Sequence, residues 1–217
     1  MVLPRLDLAI FGASGFAREV AVWAERATWH GSAFRLIGFI DDVNPGGELR
    51  ERPVLTLAEM ASAHRAAFIV AVGDPALRER LTGEAESAGL SAAPPLIHPS
   101  VEYDERHVSL GAGTVVCGGC TLTTDVAVGC HAQINLHCTV GHDVRVEDYA
   151  TLAPGVHVSG KVVIGRGAYL GTGAVTVDGD YERPLMIGDR AVVGAGAVVT
   201  RDVPAAATVV GVPARAR

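Results

Sequence analysis

The chain has 217 residues, 19% of them charged, and a formal net charge of −6. That length holds one large or two small domains, each with a core of its own, and the acidic balance offers no basic surface to nucleic acid or to an anionic membrane. The opening MVLPRLDLAIFGASG carries an apolar run too short and too interrupted by glycine for a signal sequence or a membrane span, and no longer run follows, so a cytoplasmic protein is expected.

In chain order, LDLAIFG reads as a strand, ASGFAREVAVWAERA as a turn into a helix and FRLIGFIDD as a second strand. TLAEMASAHR then reads as a helix, AAFIVAVGD as a third strand and PALRERLTGEAESAGL as a helix. Strands alternating with helices predict a small parallel α/β sheet, a Rossmann-like domain over residues 1–93. PPLIHPS follows as a linker, because its prolines continue neither pattern.

From residue 94 the grammar changes. An aliphatic residue returns every sixth position from Leu110 through Val116, Leu122, Val128, Ile134 and Val140 to Leu170. Two places before each stands a small or slender residue, among them Thr114, Cys120, Ala132, Cys138 and Ala168. Both columns are expected to point inward, with glycine at the corners (Gly111, Gly129, Gly141, Gly165, Gly171). A hexapeptide period builds a solenoid of short parallel strands. Three hexads make one triangular turn, so residues eighteen apart stack at about 4.8 Å. Cys120 and Cys138 obey that rule as packing residues; with Cys117 and Cys130 they lack a recurring C-x-x-C pair, so reduced thiols and no metal are expected. After Leu170 the beat returns five residues late at Met186 and Ile187, which makes VDGDYERPL an extruded loop, and RDVPAAATVVGVPARAR leaves the repeat as a cap or an exposed tail.

Two places carry chemistry. GASGFAREV follows a strand and opens a helix, where Gly12, Ser14 and Gly15 suit a phosphate cradle, although a G-x-x-G also serves merely to turn a chain. Asp41 and Asp42 end the second strand and Gly73 and Asp74 the third, all at the carboxyl edge of the sheet, where acidic groups accept hydrogen bonds from a ribose or a base. The full dinucleotide fingerprint is absent, so a single nucleotide is expected. In INLHCTVGHD, His142 takes an outward position with Asp143 beside it to fix its tautomer, and Gly160 lies one turn above with an N–H able to hold an oxyanion. A general base next to an oxyanion donor suits acyl transfer; a solvated surface histidine is the plainer alternative.

The hexapeptide array, INLHCTVGHD, GASGFAREV with IGFIDD and VAVGDPALRERL, and the closing DVPAAATVVGVPAR together resemble the NeuD/PglD-type sugar acyltransferases over almost the whole chain. These bacterial enzymes N-acetylate nucleotide-linked 4-amino sugars or O-acetylate sialic acid. The resemblance implies a left-handed β-helix over 94–217, assembled as a homotrimer with active sites between subunits and acetyl-CoA lying along the coils. It implies His142 as general base, Asp143 as its support, Gly160 N–H as donor to the thioester carbonyl, and Asn135 as part of the acceptor site. Gly12, Ser14, Gly15, Asp41 and Asp42 would hold the nucleotide, with Gly73 on the same edge. Phe16 and Thr151 stand near the acceptor where many relatives carry histidine. Gly173, Ala174, Gly194, Ala195 and the terminal GVPAR, with Pro213, match the coenzyme A groove.

The expected function is therefore N-acetylation of a UDP- or dTDP-linked 4-amino sugar by direct transfer, with O-acetylation of a sialic-acid-like sugar as the alternative. His137 and His142 also resemble the spacing of β-helical zinc carbonic anhydrases, with His107 or His131 as third ligand, although neither has that family's upstream spacing. A non-catalytic nucleotide-binding scaffold is the remaining reading.

Overall fold

The computed structural model describes residues 5–217. Its first sheet has seven strands: β1 (Arg5–Phe11), β2 (Thr28–Trp29), β3 (Ser32–Ile40), β4 (Glu48–Leu49), β5 (Arg52–Leu55), β6 (Ala67–Val70) and β7 (Ser91–Ala92). The path β5-β3-β1-β6-β7 is parallel, while β2 pairs antiparallel with β3 and β4 with β5. The three long predicted strands and three helices are all present; the four short strands β2, β4, β5 and β7 carry too little periodicity to read in advance.

Each helix starts for a local reason. In α1 (Gly15–Ala24), Ala17, Val20, Ala21 and Ala24 recur on one buried face. The second helix, α2 (Leu57–Ala63), opens with a capping box in which Thr56 and Glu59 satisfy each other's backbone N–H. At α3 (Pro75–Ser87), Asp74 accepts Leu77 N–H and Pro75 takes the first turn, where its missing N–H costs nothing. Since β1 lies between β3 and β6, strand order reverses at β1 and leaves a crevice at the carboxyl edge.

The stretch PPLIHPS is more than a linker. Ala93 N–H still donates to Phe68 O in the first sheet, but Leu96 N–H donates to Thr114 O, and Leu96–Ile97 pairs with Val115–Val116 as the first rung of the solenoid. The prolines stop the α/β pattern and leave the two apolar residues between them free to enter a ladder.

From there three sheets of eight, five and five strands wrap the coil, parallel throughout except for the last strand of the eight. Val115 faces Gln133, Thr121 faces Thr139 and Ala127 faces Arg145, each eighteen residues on, so the stacking rule holds. Cys120, Ala132, Ile134, Cys138, Val140 and Leu152 fill a core that runs the length of the coil. Leu110 is only half-buried, because its strand lies at the edge of its sheet. Beyond Leu170 the register changes: Val162 faces Leu185 and Tyr169 faces Val192, twenty-three residues on. Five extra residues are thus extruded. Their stems meet where Gly179 N–H donates to Gly160 O and Leu185 N–H to Lys161 O, and a Cβ on Gly179 would run into Lys161 O and Leu185 N, so only glycine fits. Val192–Val193 pairs parallel with Thr208–Val210, on which Arg215–Ala216 folds back antiparallel, so the C-terminal segment is a cap and not a loose tail.

Arg78 joins the two halves. Nearly fully buried, its guanidinium donates to the carbonyls of Val72, His131, Tyr149 and Ala150 and to Thr151 Oγ1. Burial draws its pKa down to about 10, against the pull of Asp74. Gln133 Nε2 adds a bond to Val70 O across the same junction. The first domain therefore sits on the eight-stranded face of the coil.

Candidate active site

His142 and Asp143 occupy the corner between the two five-stranded faces, opposite the face that carries the first domain. His142 Nδ1 lies 2.7 Å from Asp143 Oδ2. An ionised carboxylate only accepts, so in the neutral imidazole Nδ1 carries the proton and Nε2 presents its lone pair. Asp143 reaches that position from a left-handed backbone, φ 57°. Both side chains remain accessible, 46% and 36% exposed.

Gly160 stacks above as the eighteen-residue spacing requires. A Cβ there would come within 2.7 Å of His142 Nε2, so the imidazole lies directly under the glycine backbone. Its N–H is not free, however: it donates to Asp178 Oδ1 at 2.8 Å. The N–H expected from sequence to hold an oxyanion holds a carboxylate here. The extruded loop also reaches the pair through Tyr181, whose hydroxyl lies 3.4 Å from Asp143 Oδ2 and whose ring lies 4.7 Å from the Lys161 ammonium. Asp178, Tyr181 and Lys161 were missed in sequence. The stacking rule would have found Asp178, eighteen residues beyond Gly160.

At the carboxyl edge of the first sheet a cavity of about 430 Å³ is lined by Gly12, Ser14, Asp41, Asp42, Gly73, Arg80 and Glu84 together with apolar side chains. Gly12 has φ 117° and a Cβ on it would stand 3.2 Å from Ala71 O, so the turn requires glycine. Ser14 caps α1 without a side-chain hydrogen bond, which leaves its hydroxyl available. Asp41 Oδ1 accepts Val43 and Asn44 N–H and Asp42 Oδ1 accepts Leu57 N–H, so each aspartate shapes its loop with one oxygen and keeps the other. Arg80 and Glu84, one helical turn apart and paired at 2.6 Å, complete the rim; nothing in their spacing singled them out.

Several expected contacts fall elsewhere. Gly15 begins α1 outside the cavity lining, and Phe16 packs edge-to-face on Trp23 in the first core. Thr151 is buried at the junction, donating to Gly73 O and accepting from Arg78. Asn135 gives its amide N–H to Leu152 O at a different corner from His142, so within one chain the two do not meet. Along the coil edges Gly173 (φ 69°) is open and Ala195 exposed, but Ala174 is fully buried in the inner column, as its place in the six-residue beat dictates. Gly194 lies under Val210, and Pro213 is exposed after a cis peptide bond.

The histidines of the zinc reading are dispersed. His131 is sandwiched between Phe68 and Tyr149, and burial lowers its pKa to about 4; His107 lies beside Asp125. Among the described residues no group of three or more His, Cys, Asp or Glu side chains converges. Nor is any helix among them long and apolar enough to cross a membrane.

An accessible histidine–aspartate pair under a backbone glycine, on a parallel coil that bears a nucleotide-type α/β domain, defines the class: an acyltransferase built on a hexapeptide β-helix. The PglD N-terminal domain family matches residues 7–85. Over 213 residues the chain is 38% identical to GDP-perosamine N-acetyltransferase from Escherichia coli O157:H7, covering 95% of this chain and 94% of that protein. Among solved structures it resembles WeeI from Acinetobacter baumannii AYE at 35% identity and a TM-score of 0.87, over 98% of this chain and 100% of that one. It also resembles a histidine-to-asparagine variant of perosamine N-acetyltransferase from Caulobacter crescentus in complex with CoA and GDP-perosamine, at 31% identity and a TM-score of 0.84, over 97% and 96% of the two chains. The chain belongs to the NeuD/PglD-type family of acetyl-CoA-dependent sugar acetyltransferases, and its coil is the left-handed parallel β-helix of that family.

Proposed function

We propose that the protein transfers the acetyl group of acetyl-CoA to the amino group of a GDP-linked, perosamine-type 4-amino sugar, at a site completed between neighbouring copies of the chain in a homotrimer. The observation that carries the chemistry is the His142–Asp143 contact of 2.7 Å under the backbone of Gly160. The acceptor nitrogen attacks the thioester carbonyl and His142 Nε2 takes its proton. Asp143 steadies the imidazolium, Gly160 N–H holds the developing oxyanion, and the C–S bond breaks to release CoA. Cys117, Cys120 and Cys138 are buried, and the exposed Cys130 lies on a different corner of the coil from His142, so no thiol stands beside the base as a covalent carrier.

The position of the first domain supports the trimer. Its crevice lies on the eight-stranded face and His142 on the opposite corner, so a sugar held in the crevice is turned away from the base of its own chain. A second copy packed beside the coil brings one chain's crevice to another chain's base.

The relatives together with the crevice support the choice of nucleotide. The UDP or dTDP expected from sequence gives way to GDP, the nucleotide named for the 38% identical relative. Guanine offers N–H donors at two adjacent positions, which suit a carboxylate, and Asp41, Asp42 and Glu84 line the cavity. Coenzyme A has a bare edge to follow, since Gly155, Gly173 and Gly196 stack on one corner with positive φ and no neighbour where a Cβ would stand.

The test is thiol release from acetyl-CoA by purified protein offered GDP-, UDP- and dTDP-linked 4-amino sugars and free sialic acid, with His142→Ala as control. His142-dependent release with the GDP sugar is expected. Release with sialic acid alone would move the function to O-acetylation; release preferring UDP or dTDP would overturn the assignment of the base.

A further inference from the structure

Gly160 N–H has a single proton to give, and two acceptors require it. In the structure it bonds Asp178 Oδ1 at 2.8 Å; in acetyl transfer it must bond the thioester oxygen as that oxygen becomes negative. A carboxylate left in place would set one negative charge against another at the point where charge develops.

The same device appears twice on another corner of the coil, where Asp148 accepts Cys130 N–H and Asp189 accepts Arg166 N–H. There it ties one turn to the next. Asp148 is held further by Arg166 Nη1 on its other oxygen, whereas Asp178 and Asp189 are exposed and each makes a single side-chain bond among the described residues; of the two, only Asp178 bonds the N–H above His142. Asp178 is also the first residue of the extruded loop, whose tip returns to Asp143 through Tyr181. The loop is anchored below by Gly179 on Gly160 O, so the Asp178 side chain can rotate off the N–H without unpairing the backbone.

We infer that Asp178 is a displaceable occupant of the oxyanion site: its carboxylate satisfies and orients Gly160 N–H in the free enzyme and is replaced there by the thioester carbonyl of acetyl-CoA. It is a positioning residue that acts through Gly160. Holding the amide this way avoids an unpaired donor in the empty site, and it costs acetyl-CoA the fraction of molecules in which Asp178 still occupies the N–H. The inference rests on the assignment of Gly160 as oxyanion donor.

Steady-state kinetics with acetyl-CoA varied at saturating acceptor test it, using wild type, Asp178→Ala and Asp178→Asn, each checked by thermal unfolding. Asp178→Ala is expected to lower KM for acetyl-CoA about 3- to 10-fold, the size of a removed competing conformer. Asp178→Asn, which keeps a neutral oxygen acceptor of the same shape, should fall between and serves if the alanine variant fails to fold. A KM for acetyl-CoA that is unchanged or raised in the folded variants, with turnover still dependent on His142, overturns the displacement and leaves acetyl transfer standing. Turnover independent of His142 removes the base itself. A crystal structure with acetyl-CoA in which the thioester oxygen sits on another N–H and Asp178 has not moved overturns the role of Gly160 and the displacement together.

Discussion

Gly160 stands one coil above His142 and against its ring: a Cβ at 160 would lie 2.7 Å from Nε2. The residue has no positive φ; its close neighbour is the imidazole. Gly160→Ala should push the ring from its place under the N–H, and a displacement of about 1 Å in a reacting group costs about 10²-fold in turnover. Far-ultraviolet circular dichroism should show the coil intact. Undiminished kcat would place the base elsewhere.

His142→Ala removes the proposed proton acceptor and is expected to lower kcat about 10²- to 10⁴-fold with little change in acetyl-CoA affinity. Asp143→Asn keeps the shape but offers Nδ1 an amide in place of a carboxylate, so its loss should be smaller than that of His142→Ala. Equal losses in the two variants would show that the pair acts only as a unit. Single-turnover acetylation separates these effects from product release.

Arg78→Met should be costly for stability in a way that activity alone would not reveal. The variant leaves the carbonyls of His131, Tyr149 and Val72 buried without their donor, and a loss of about 3–5 kcal/mol is expected from several such bonds. Urea unfolding should show the first domain coming apart from the coil at lower denaturant. A midpoint unchanged from wild type would contradict the strut.

His131 makes stability depend on pH. Its pKa is lowered to about 4 in the folded chain from 6.5, through burial and then the Arg78 charge. Between those values the unfolded chain binds more protons, so the stability is fully present above 6.5 and declines as pH falls toward 4, by about 3 kcal/mol at most. His131→Phe, which keeps an aromatic ring between Phe68 and Tyr149, should flatten that part of the profile in urea titrations. An unaltered slope from pH 4 to 6.5 would assign it to other groups.

The six-residue beat determined the coil, its inner columns and the stack of His142 under Gly160, because in a solenoid contacts follow from a constant spacing along the chain. The five-residue delay likewise located the loop, and alternating strand and helix patterns laid out the first domain with its crevice residues Gly12, Asp41 and Asp42. What spacing could not supply are contacts between parts with different periods. Arg78 lies in a helix of weak amphipathic pattern, and only the docking of that helix on the coil buries it and draws Thr151 to Gly73 instead of toward a substrate. Ala174 was assigned to a groove by resemblance although the beat already turned it inward. The hold of Asp178 on Gly160 and of Tyr181 on Asp143 depends on how an irregular loop folds back. Sequence fixes local periodicity because each residue's neighbours along the chain repeat; a junction between two domains, and a loop outside the period, are decided by which polar groups burial leaves in need of partners.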